Sequence, residues 1–243
     1  MTPSPAVVAE LTRTGALRVG INLSNFLLVT GKTADGGPAG VSPDVGAEVA
    51  RRLGVPVTYV TYKTPGELAD AVERDEWDIG NIGAEPQRAE KIAFTAAYCD
   101  IQSTYLVPAG SPLMTIADVD KPGVRIACAA RTAYGLWLER NIKQATLVWA
   151  EGLDASYDLF VAEKLDALAG LKPKLMSEVK RLPGARILDG QYSAVQQAIG
   201  TSRRNVAAAV WLQAVGEELK ATGFIQRLIG KHAVVGLSVA PKA

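Results

Sequence analysis

Apolar residues recur along this chain in two alternating rhythms. Leu17 to Leu23 is an apolar run rich in strand formers, and Val55 to Tyr62 and Trp77 to Gly83 read the same way. Pro56 lacks a ladder donor, which puts it in the first residues of its strand or on an edge. Between these runs the spacing becomes helical. Ser42 offers an N-cap with Pro43 at the first helical position, Val45, Val49 and Leu53 follow four apart, and Gly54 ends the helix. Thr64 and Glu67 have capping-box spacing around Pro65, with Leu68 and Val72 as the apolar stripe. Repeated β-α-β units of this kind predict a mostly parallel sheet covered by helices on both faces.

A turn-rich stretch, Ala109 to Pro112, separates a second set of units. Val124 to Ala129 reads as a strand, and Thr132 caps a helix carrying Leu136, Trp137 and Leu138. Thr146 to Ala150 is strand-like, Leu153, Tyr157, Leu159 and Phe160 line a helix, and Asp166 to Leu171 is another strand. Ala185 to Leu188 and Ser193 to Gly200 are apolar runs leading back. Asn205 to Thr222 is a long amphipathic helix, with Trp211, Val215 and Leu219 four apart.

Composition narrows the classes. The 243 residues are 48% hydrophobic, so the chain is globular and long enough for one large core or two smaller ones. Lysine and arginine total 26 against 25 aspartates and glutamates, a balance that gives no reason to expect nucleic acid or an anionic membrane as partner. The two cysteines, Cys99 and Cys128, do not make a disulfide framework and have no metal-ligand spacing nearby; they read as small buried hydrophobes, with one disulfide as the alternative. The single histidine, His232, is assigned a structural or solvated place. The start, MTPSPAVVAELTRTG, has no basic head before a long apolar run, so it does not read as a signal peptide, and no stretch is apolar enough to span a bilayer.

Three stretches then resemble the bacterial extracellular solute-binding proteins of family 3, the polar-amino-acid-binding type of ABC transporter, in that family's order. They are GALRVGINLSNF (15–26), GVSPDVGAEVARRLGVPVTYV (40–60) and WDIGNIGAEPQRAEKIAFTAAY (77–98). The later GVRIACAARTAYGLWL and KLDALAGL are similar to the family's second lobe. The resemblance covers essentially the whole chain. It implies an α/β, two-lobed, type 2 periplasmic-binding fold, each lobe a mostly parallel sheet flanked by helices. One lobe would be discontinuous (1–103 and 194–243) and the other would span 104–193. Two crossover strands, near Gln102 to Val107 and Tyr192 to Gln197, would act as the hinge of a cleft that closes on ligand.

The same resemblance assigns residues. Arg88, followed by Phe94 and Thr95, falls at the family's carboxylate-binding arginine, whose guanidinium fork makes two parallel charge-assisted bonds; by local sequence alone it would be a solvated helix residue between Glu85 and Glu90. Asn22, Asn25 and Phe26 fall in the loop after the first strand, where the family contacts ligand, though asparagines there also serve as turn residues. Asn81 and Gly83 present an amide and backbone groups or simply shape the turn before Arg88. Glu85 is the one carboxylate that can be placed beside Arg88 as a general acid or base, and it reads more readily as a helix-start acid favoured by the dipole. Thr132 opens a helix whose N-terminus attracts carboxylates. Arg131 stands where the family has a small residue. Leu171, followed by Lys172, occupies the place of an ammonium-binding aspartate, and the stacking aromatic is replaced near Thr64 to Gly66. These departures point to an organic acid without a free α-ammonium ahead of a standard amino acid.

The function implied is non-catalytic binding of a small carboxylate-bearing solute and delivery to an ABC importer permease, by a periplasmic monomer without cofactor, metal, nucleic acid or membrane insertion. The alternatives are a cytoplasmic ligand sensor of the same fold and a dehydratase-like enzyme on this scaffold, which would need a general acid or base in the cleft.

Overall fold

The computed structural model describes residues 2–243. Along the chain come α1 (Pro5–Leu11), β1 (Leu17–Asn22), the short pair β2 (Gly31–Lys32) and β3 (Pro38–Ala39), α2 (Val41–Leu53), β4 (Val57–Tyr62), α3 (Pro65–Asp70), β5 (Ile79–Gly83), α4 (Pro86–Ala89), β6 (Ile92–Phe94) and β7 (Cys99–Val107). Next are β8 (Arg125–Ala129), α5 (Ala133–Asn141), β9 (Thr146–Ala150), α6 (Leu153–Ala162), β10 (Ala167–Leu171), α7 (Lys172–Glu178) and β11 (Arg186–Ile187). The chain closes with β12 (Ser193–Ser202), α8 (Val206–Ala221), α9 (Phe224–Lys231) and β13 (Ser238–Val239). It divides into two compact units, one running to Asp100 and resuming at Gln196–Ala243, the other Ile101–Val195. β7 and β12 each begin in one unit and end in the other.

In the discontinuous unit the strand order is β4-β1-β5-β12. β4 and β5 run parallel to β1, while β12 runs antiparallel to β5 and also pairs with β6. The stripe of α2 is buried through Val41, Val45, Val49 and Leu53, and Gly46 lets the helix sit against Val19, since a Cβ there would lie 2.7 Å from a Val19 methyl. Trp77 fills the space above Gly20 and Gly80 and donates its indole N–H to the Leu68 carbonyl at 2.9 Å. α8 receives its cap from outside its own sequence: the Glu10 carboxylate on α1 accepts from Ala208 N at 2.7 Å.

Local differences from the sequence reading have local causes. The capping box forms as expected, Thr64 Oγ1 accepting from Glu67 N and Glu67 Oε2 from Thr64 N. Ser42, however, is not the cap of α2. The helix starts two residues earlier, at Val41 behind Gly40, and Ser42 N instead donates to the Leu28 carbonyl at 3.0 Å. Pro43 is still accommodated because first-turn N–H groups need no helical partner. The strand β5 starts at Ile79 rather than Trp77, and β4 starts after Pro56.

In the continuous unit the order is β7-β10-β8-β9. β8 runs parallel to β9 and β10, and β7 antiparallel to β10 and β11. Its core joins Tyr157 and Phe160 of α6 to Leu106, Leu165, Leu168 and Leu175. No helix among the described residues is long and apolar enough to cross a membrane.

Cys99 and Cys128 are both buried and unbridged, and burial pushes both thiols well above their ordinary range. The native protein is therefore expected to leave a thiol reagent unreacted at pH 8, with two thiols appearing on denaturation; fast native labelling would contradict this. His232 Nε2 lies 2.8 Å from the Asp44 carboxylate, a link between α9 and α2.

Glu48 on α2 is an acid-sensitive link. Hydrogen bonds from Arg51 and then Arg52 hold its carboxyl down to about 2, against the desolvation that opposes them. A folded pKa below the unfolded value stabilises at high pH, and that stabilisation is lost as pH falls from about 4.5 towards 2. Glu48→Gln is expected to cost about 1 kcal/mol at pH 7, because Arg51 is largely in solvent, and only a small part of that at pH 2. Urea melts at the two pH values check this.

Candidate functional site

In open α/β sheets, ligands bind outside the carboxyl ends of parallel strands. In the discontinuous unit those ends are the loops after β1, β4 and β5, and the candidate residues fall on two of them, after β1 and after β5. At the first, Asn22 Oδ1 accepts from both the N–H and the hydroxyl of Ser24, at 3.1 and 2.8 Å. Asn25 is buried and accepts from Leu27 N at 3.3 Å. Both asparagines shape the turn, which leaves Leu23 and Phe26 exposed at 45% and 39%.

At the second, Gly83 ends β5 and Glu85 precedes the single turn of α4, with Pro86 at its first position. The turn folds the Arg88 side chain back, so that Nη1 donates to the Gly83 carbonyl at 2.8 Å. Arg88 is 6% exposed and Glu85 8%. The local reading of Arg88 as a solvated helix residue is thus corrected: the guanidinium is anchored and nearly out of solvent. Thr95, read with it as part of one signature, is structural, accepting from Ile199 N and donating to the Ala96 carbonyl.

Asn81 lies deeper, one residue pair back on β5. It is 2% exposed and donates to the Ser42 carbonyl at 2.9 Å. Its Oδ1, Ser42 Oγ and the Tyr98 hydroxyl are buried without a well-formed hydrogen bond. Burial drives the Tyr98 phenol upward. Sequence reasoning gave Ser42 only a capping part and missed Tyr98; the one available signal was a serine on the otherwise apolar face of α2.

In the continuous unit, Thr132 caps α5 as expected, Oγ1 accepting from Gly135 N at 3.1 Å and donating to the Ala129 carbonyl at 2.9 Å. Arg131 before it is exposed and left-handed, with φ +57°. Lys172 is the first residue of α7, directly after Leu171, which is 8% exposed at the end of β10. Among the described residues no group of acids, histidines and cysteines has the makings of a metal site.

Comparison with known proteins places this architecture. The sequence profile of the bacterial extracellular solute-binding proteins, family 3, matches residues 17–234. The chain belongs to that family. Its members are solute-binding proteins, and the family is extracellular. Among solved structures it is similar to the solute receptors for L-cysteine of Neisseria gonorrhoeae, with TM-score 0.75, 19% identity and 94% of this chain and 95% of that one covered. It is also similar to the P235GK mutant of ArgBP from T. maritima (TM-score 0.74, 21% identity, 93% and 99% covered). A third is the ancestral amino-acid-binding protein AncCDT-1, described as a precursor of cyclohexadienyl dehydratase (0.73, 21%, 92% and 98%). At these identities the likeness is one of fold. No curated protein sequence matches the chain. The two-lobed α/β class of this family member thus agrees with the sequence reading.

Proposed function

We propose that this family 3 protein binds a small carboxylate-bearing solute without chemical turnover and delivers it to an ABC importer. The observation that supports this is Arg88: a guanidinium nine-tenths buried, fixed by the Gly83 carbonyl at the carboxyl end of a parallel strand. A fixed fork loses little freedom when it takes a carboxylate in two parallel bonds, and low solvent access strengthens each. The loop residues Asn22, Asn25 and Phe26, with Asn81, Gly83 and Glu85, would shape the surroundings of that carboxylate.

The competing reading is turnover, which the dehydratase precursor among the structural neighbours keeps in view; Glu85 is the acid that would have to serve. One experiment addresses both. Solute released from purified protein is identified by mass spectrometry and titrated back by calorimetry. A carboxylic acid that binds and is recovered unchanged after long incubation supports binding alone. A solute without a carboxylate, or a converted product, defeats the proposal.

A further inference from the structure

The strands of the discontinuous unit also have a far end, away from Gly83 and Arg88. There β1 and β5 begin and the antiparallel β12 finishes, with Thr201 beside Ile79. Three arginines reach this end from separate segments: Arg13 ahead of β1, Arg18 on β1 and Arg204 after β12. All three approach the same oxygen of one carboxylate. Asp75 Oδ1 lies 3.1 Å from Arg13 Nη1 and 3.7 Å from Arg18 Nη2, and it also accepts from Arg204 Nη2.

Two of these guanidinium groups are anchored. Arg18 takes both oxygens of the buried Asp78, through Nη2 at 2.7 Å and Nε at 3.2 Å. Arg13 donates to Asn205 Oδ1 at 2.5 Å, and the buried Asn205 is held in turn by donating to Thr201 Oγ1 at 2.9 Å. With Asp78 engaged by Arg18, Asp75 is the acid that answers both Arg13 and Arg204 among the described residues. Nearby acids are occupied: Glu76 by Arg74 and Tyr62, and Glu10 by the first turn of α8. The cluster is therefore one positive charge in excess, three guanidinium groups against Asp75 and Asp78. Asp75 is its loose member. Its side chain is 42% exposed and that of Arg204 53%, and ion pairs so exposed hold weakly. A single carboxylate oxygen is a poor match for three forks, whereas an oxyanion with several acceptor oxygens can take a charge-assisted bond from each.

We propose that this end of the discontinuous unit is a second binding site, for a small soluble oxyanion of the phosphate type, and that Asp75 is the built-in occupant which such an anion displaces. The site is independent of Arg88, which stands at the opposite ends of the same strands.

The test is calorimetry on the whole protein with inorganic phosphate, against chloride at matched ionic strength. The parent protein is expected to bind phosphate and not chloride. Asp75→Asn removes the competing charge while tolerating the left-handed φ of +55°, and should tighten phosphate about tenfold or more. Arg204→Gln should weaken it about tenfold or more, and Arg88→Ala should leave it unchanged. Thermal denaturation checks that each variant is folded. Phosphate bound no better than chloride by the parent protein overturns the inference. So does an affinity untouched by Asp75→Asn or by Arg204→Gln, or one lost in Arg88→Ala. Sedimentation with phosphatidic acid vesicles without binding of free phosphate would assign the arginines to a membrane surface, and also overturns it.

Discussion

Arg88→Ala is expected to weaken solute binding by about 2–5 kcal/mol, roughly thirtyfold to several-thousandfold, the range for losing one partner of a desolvated charge pair. Most of that loss is the stranding of a carboxylate whose water has been removed. A smaller cost falls on the fold. The side chain is buried and holds the Gly83 carbonyl, so its removal should also cost about 1 kcal/mol of stability, a shift of a few degrees in Tm. Arg88→Lys separates the two: it keeps the charge but loses the fork, so binding should fall by an intermediate amount. Calorimetry with the released solute gives the first quantity and thermal denaturation the second. Wild-type affinity in Arg88→Ala would return the residue to a purely structural part.

Gly40→Ala is expected to lower stability by about 3 kcal/mol, enough to unfold a large share of a marginally stable protein. Two costs combine. The backbone sits at φ +150°, where side chains are rarely accommodated, and an added Cβ would lie 2.3 Å from the Leu28 carbonyl oxygen. That oxygen is backbone and already accepts from Ser42 N, so it can move only by disturbing the start of α2. Gly36→Ala is the control: its φ of +86° is also unfavourable, but nothing lies within 4 Å, so only the conformational cost of about 1 kcal/mol should appear. Equal urea midpoints for the two variants would show that the Leu28 contact is not what makes Gly40 necessary.

What was legible in the sequence was mainly local. The Thr64–Glu67 box, the Thr132 cap and the Trp211, Val215 and Leu219 stripe of α8 could be read because each depends on residues within a few positions of one another. The start of α2 was misplaced because its deciding partner, the Leu28 carbonyl, lies in a distant loop that no helix rule consults. Arg88 shows the same limit at the site. Its neighbours Glu85 and Glu90 suggest a solvated helix, yet a four-residue turn brings it back under the end of its own strand. Only the longer motif pointed to a binding residue. The grouping of Asn81 on β5, Ser42 on α2 and Tyr98 just before β7 joins distant parts of the chain, and periodicity within any one of them gives no hint of it.

The route of the chain also sets an order of assembly during synthesis. Residues 101–195 are continuous and have all their strands once Val195 has left the ribosome. The other unit is synthesised in two instalments, and β5 must wait with its Gly83 end unpaired until β12 arrives far downstream. The carboxylate of Glu10 likewise waits for α8. The segment made in the middle can therefore fold first, while the one begun first finishes last. Until then the apolar strand β5 stands with an open edge, which makes the nascent first segment the part of this protein most in need of a chaperone.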